Sequence, residues 1–122
     1  MDSIKDVEGL RSLLWNEVPE ARSAIKALDQ RCAEIASEYG EEPFVGVYEY
    51  ISEIFWWEVF EPALKRGERQ VVDRCFRIVE ILLEKSDNFI REAVLIRVVV
   101  HLQELPSVRI LAGDNLLKEL RG

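Results

Sequence analysis

Residues 88–105, NFIREAVLIRVVVHLQEL, are largely apolar and lie between Ser86-Asp87 and Pro106. Their β-branched content, Ile90, Val94, Ile96, Val98, Val99 and Val100, also suits a buried strand. Strands run for about four to eight residues, however, and eighteen between a capping residue and a proline favour a helix. Ser86 or Asp87 caps it, and Phe89, Ala93, Val94, Leu95, Ile96, Val98, Val99, Val100 and Leu102 make it apolar almost all round. Such a helix belongs in the middle of a bundle. No strand candidate survives elsewhere, so this reading makes the chain all-α.

Working upstream, Val72, Cys75, Phe76, Val79, Leu82 and Leu83 recur at helical spacing from about Glu68 to Lys85. Asp73–Arg77 and Arg77–Glu80 are the expected ion pairs of its outer face. Gly67 marks the turn before it. Pro43 opens the preceding helix, with Phe44 central on an inner face continued by Val47, Tyr48, Ile51, Phe55 and Val59. Glu49, Glu53, Trp56 and Phe60, with Tyr50 and Trp57 slightly around, take the opposite arc. Pro62 is expected to kink or end this helix.

Earlier still, Pro19 suits a first turn, and Ala21, Ile25, Leu28, Cys32, Ile35 and Tyr39 repeat at 3–4 spacing until Gly40 stops them. Ser3 and Asp6 resemble a capping box for a first helix that carries Ile4, Val7, Leu10 and Leu14 inward to near Asn16. Downstream, Pro106 and Gly113-Asp114 punctuate the chain, and Leu116, Leu117 and Leu120 pack a last short helix. The expected architecture is one domain over 1–122, a bundle of five to seven antiparallel helices, with HEAT-like hairpin stacking as a variant.

The 122 residues suffice for one self-sufficient core, and 32% charged residues with 48% apolar ones suit a globular chain. The net charge of −7 is unevenly placed: residues 1–61 hold five basic and fourteen acidic residues, and residues 62–122 hold eleven and nine. That distribution argues against direct binding to nucleic acid or anionic lipid. No run approaches the roughly eighteen apolar residues of a membrane span. The start, Met1-Asp2-Ser3, has neither a basic region nor an apolar signal core. Cys32 and Cys75 each sit among apolar residues and read as reduced core thiols, so a cytoplasmic location is expected.

Chemistry is sparse. His101 is the only histidine, flanked on its helix by Arg97 and Glu104. It reads either as a general base oriented by Glu104 or as part of a polar line at a helix seam, and the second is the simpler. Glu49 and Glu53, one turn apart, lack the histidines of a metal-binding bundle. Glu58 falls on the inner arc, where Arg74 or Arg97 is its expected partner. There is no glycine-rich phosphate loop. No catalytic machinery, metal or cofactor is expected.

One region stands out. From Cys32 to Leu64 there is no lysine or arginine, yet the stretch holds eight glutamates and eight of the eleven aromatics. A core accounts for some of those rings but not for the missing cations. A surface that meets a basic protein accounts for both, since glutamates steer and aromatics anchor. The expected interface comprises Glu41, Glu42, Glu49 and Glu53 with Trp56, Trp57 and Phe60 as anchors. Trp56 and Trp57 are adjacent and point about 100° apart on a helix, so at most one can face the core fully.

The stretch Phe60-Glu61-Pro62-Ala63-Leu64, then Gly67, Cys75-Phe76, Val79-Glu80, Ser86-Asp87, Leu105-Pro106 and Leu111-Ala112-Gly113 also has a recurring layout. Over roughly residues 44–120 it resembles small all-helical bacterial immunity proteins, which neutralise polymorphic or contact-delivered toxins. The resemblance implies a non-enzymatic inhibitor that binds a basic toxin domain through an acidic face. The alternative is a helical adaptor using the same face.

Overall fold

A computed structural model of the protein describes residues 4–42, 46–105 and 107–120. The described residues form seven helices and no strand. They are α1 (Val7–Glu17), α2 (Arg22–Glu38, entered through a 3₁₀ turn at Pro19–Ala21), α3 (Glu49–Phe60, continuing as Glu61–Arg66), α4 (Arg69–Lys85), α5 (Asn88–Val94, Leu95–Val99 and Val100–Leu102), α6 (Val108–Leu111) and α7 (Asp114–Glu119). The all-α single domain is as expected. The Ser3 cap, the Pro43-Phe44 opening and Pro106 lie outside the described residues.

The start of α1 is a correction. Asp6 is its N-cap, accepting from the Gly9 N–H at 2.9 Å. Ile4, expected on the helix, instead runs beside the α4–α5 turn: its N–H donates to Lys85 O and its carbonyl accepts from Asp87 N–H. At the other end of this hairpin, Gly67 adopts φ +69°, which supplies the left-handed stop after Arg66.

The decisive departure is in α3. Glu49–Phe60 winds with i→i+5 hydrogen bonding, and the Glu61 N–H reaches Trp56 O. A π turn holds more residues than the 3.6 of an α turn, so the inner arc widens. Tyr50, Ile51, Ile54, Phe55, Trp56, Val59 and Phe60 are all buried. Tyr50, Trp56 and Phe60 therefore leave the outer arc on which α spacing had put them. Glu58 makes the opposite move, into solvent. Its expected partners are engaged elsewhere: Arg74 pairs with Glu20 at 2.6 Å and Arg97 lies over the Tyr48 ring. Pro62 does not end the helix. It sits at the first positions of an α segment that continues to Arg66. The open turn ahead of it relieves the clash a proline makes inside an α-helix.

α4 forms antiparallel hairpins with α3 before it and α5 after it, so α3 and α5 run parallel. Phe60 meets Phe76 edge-on at 5.2 Å across the α3–α4 contact. α1 and α2 close the far side of α3 through one network. Arg11 donates to Asp29 Oδ2 (Nε at 3.0 Å), and the Tyr50 hydroxyl donates to Asp29 Oδ1 at 2.7 Å. Burial, then the bond to Asp29, pushes the Tyr50 phenol above its ordinary range. On α2 the expected stripe is buried only through Leu28; Cys32 is half-buried, and Ile35 and Tyr39 are exposed.

α7 is held by a residue that its sequence position assigns to solvent. Glu80 accepts from the N–H groups of Asn115 (2.9 Å) and Leu116 (2.7 Å), and Asp73 pairs with Arg69. A Cβ on Gly113 would lie 2.5 Å from Glu80 Cδ, so the glycine is what lets the carboxylate approach. Glu80→Ala should cost about 1–3 kcal/mol in urea unfolding, by stripping two N–H groups of their acceptor. Gly113→Ala should cost less in the Glu80→Ala background than alone, with a coupling of at least about 0.5 kcal/mol.

Burial also pushes the Cys75 thiol up, to about 12 from 9.0. The folded state thus holds this proton more tightly than the unfolded chain does. Its contribution to stability is full below about pH 9 and falls as pH climbs towards 12. Under mildly alkaline native conditions iodoacetamide should modify half-buried Cys32, and Cys75 only after unfolding, as read by mass spectrometry.

Candidate functional site

α5, expected to be enclosed, has one open side. Ala93, Val94, Val98, Val99 and Leu102 are buried, whereas Phe89, Ile96 and Val100 are about half exposed. Among the described residues no helix covers these three side chains. The helix also carries a π segment, Leu95–Val99, in which the Val100 N–H reaches Leu95 O. It packs against the π segment of α3.

The parallel seam between α3 and α5 is aromatic along its length. Tyr48 meets Phe89 edge-on at 5.7 Å, and the Arg97 guanidinium lies 5.2 Å from the Tyr48 ring centre. Two turns along, His101 stacks flat on Trp56, with centroids 4.9 Å apart and planes within 9°. Trp57 leans its edge toward both, 6.1 Å from His101 and 6.5 Å from Trp56. The partners of His101 in the seam are these indoles.

These contacts divide the expected anchors. Trp57 is 55% exposed, Trp56 is 5% exposed, and Phe60 is fully enclosed by Phe55, Trp56 and Phe76. Phe60 is therefore a core residue and Trp56 a wall of the seam. Among the described residues the Trp56 Nε1–H has no acceptor. His101, on α5, meets the Trp57 edge at the seam, where the simpler sequence reading put it; Ile96 and Val100 are exposed on the same helix, and nothing in the reading of α5 as a buried helix pointed to them.

The carboxylates are also sorted. Glu49, Glu53 and Glu58 are exposed on α3, and Glu104 is exposed beyond the end of α5. Glu41 and Glu42 are exposed in the link after α2, ahead of α3. The stretch free of cations in sequence is not free of them in space. Arg31 of α2 reaches Glu53 at 2.7 Å, and Lys65 reaches Glu61 at 2.7 Å. The first pair joins α2 to α3 and the second spans one turn of α3; Glu49, Glu58 and Glu104 are exposed.

A cleft of about 470 Å³ opens at the C-terminal end of the seam, lined by Trp56, Trp57, Glu61, Leu64, Lys65, His101, Glu104 and Leu105. Among the described residues no group of three or more His, Cys, Asp or Glu is placed to hold a metal ion. No described helix is long and apolar enough to cross a membrane. Elsewhere, Arg11, Arg22 and Lys26 converge on Trp15 at 5.4–5.6 Å, so the acidic half carries its own cationic corner.

Compared with protein families, with curated proteins and with solved structures, the chain matches none. Trp56→Ala should cost about 3–5 kcal/mol of stability by opening a cavity under His101. Trp57→Ala should cost about 1 kcal/mol or less in the same thermal or urea assay.

Proposed function

We propose that the protein is a non-enzymatic binding protein whose α3–α5 seam docks onto a basic protein partner. The observation that carries this reading is Trp57, about half exposed, edge-on to His101 and lining one cleft with the carboxylates Glu61 and Glu104. A tryptophan in that setting supplies anchoring area, and the exposed carboxylates on its rim supply steering. The resemblance to immunity proteins supplies the class of partner: a toxin domain whose basic surface is occluded. Inhibition by occlusion requires complementary surfaces rather than catalytic groups, which suits a face of aromatics and carboxylates.

The test pairs growth rescue with association kinetics against a basic toxin domain encoded beside this gene. Co-expression should restore growth. Glu49→Lys/Glu53→Lys should slow association steeply and flatten its salt dependence. Trp57→Ala should weaken binding by about 2 kcal/mol or more. Wild-type kinetics in both variants would remove this face from the function. Binding without rescue would turn the reading to an adaptor.

A further inference from the structure

We infer that the cleft at the end of the α3–α5 seam receives an arginine side chain of the partner; this rests on the seam being the docking face. Its walls are aromatic and aliphatic, with Trp57 and Leu64 from α3 and His101 and Leu105 from the end of α5 and the turn after it, and one carboxylate comes from each side, Glu61 from α3 and Glu104 from that turn. Glu61 is the unusual member. Its side chain is only 19% exposed, yet its ion-pair partner, Lys65, is 77% exposed. A largely buried carboxylate is thus neutralised from outside, by an ammonium on a flexible stem at the cleft's own edge.

Such a pair is easily exchanged. An incoming guanidinium can fork onto the Glu61 carboxylate while its plane lies against the indole of Trp57, both of which an ammonium does less well. Lys65 then swings into solvent, where most of it already is. Lys65 is accordingly a stand-in for the ligand, and removing it should help rather than harm. That expectation separates the cleft from a merely structural ion pair, in which Lys65 and Glu61 would matter in the same direction.

The experiment titrates ¹⁵N-labelled protein with N-acetyl-arginine methylamide and with its lysine counterpart, following the three indole N–H signals and the His101 ring. The arginine compound should shift Trp57 and His101 saturably and leave Trp15 still, beneath its own cations. The lysine compound should bind at least about fivefold more weakly. Lys65→Met should tighten arginine binding about threefold or more, and Glu61→Gln should weaken it about tenfold. Lys65→Met alters an exposed side chain, so its result stands even if Glu61→Gln unfolds the protein.

Stationary Trp57 and His101 signals at saturating arginine compound would overturn the inference, and so would equal binding of the two compounds. A basic partner that needs Trp57 but binds Glu61→Gln as it binds wild type would overturn it while leaving the docking face intact. Arginine binding in the cleft without any partner that depends on Trp57 would support the cleft and defeat the docking reading.

Discussion

The winding of α3 sets the rest of the molecule. With i→i+5 bonding over Glu49–Phe60, a single helix buries seven side chains, wide enough to meet α1 and α2 on one flank and α4 and α5 on the other. An α-helix of the same residues would present a narrower stripe. Phe60 could not then reach Phe76, and Trp56 would compete with Trp57 for the surface. The π turn also lets the chain pass through Pro62 and continue to Lys65, so that helix and cleft share one continuous support. The seam follows from this geometry: Trp56 is turned inward just far enough for His101 to lie flat on it, and its neighbour is left outside.

Polar contacts fix the surrounding helices at a few points. Asp29 ties α1, α2 and α3 through Arg11 and Tyr50, Arg74 ties α4 to the turn before α2 through Glu20, and Glu80 ties α7 to α4. Arg91 pairs with Glu119, bracing α5 against α7. The N-terminal segment adds a backbone clasp at the α4–α5 turn through Ile4. Each contact joins segments distant in sequence, which is why α7 holds its place although it is short.

Much of the fold could be read from the chain. The inner faces of α4 and the first half of α2, the Gly67 turn, the Asp87 cap and the all-α class all follow local rules of spacing and capping. The misplaced side chains of α3 share a cause: this helix does not wind at 3.6 residues per turn, and nothing in its composition announces this. The apolar run of α5 was assigned to the interior because it lacks a polar face, but such a run is equally what a helix needs at a docking surface. Glu80 escaped because its ligands, Asn115 and Leu116, come from a helix whose position is tertiary. Of the candidate site, the exposure of Glu49 and Glu53 and the rule that Trp56 and Trp57 cannot both face the core were legible; which of the two faces outward was not. Ile96, Val100 and the role of His101 were not, since they depend on α3 and α5 being parallel.

Everything claimed for the seam turns on which tryptophan faces outward, and that turns on the winding of α3. The most direct measurement is the through-hydrogen-bond scalar coupling between backbone nitrogen and carbonyl carbon, from a long-range HNCO spectrum. The π geometry requires a correlation from the Glu61 nitrogen to the Trp56 carbonyl, and from Val100 to Leu95. Correlations from Glu61 to Trp57 and from Val100 to Ile96 would instead show ordinary α winding, returning Trp56 and Phe60 to the outer arc and dissolving the surface described around Trp57.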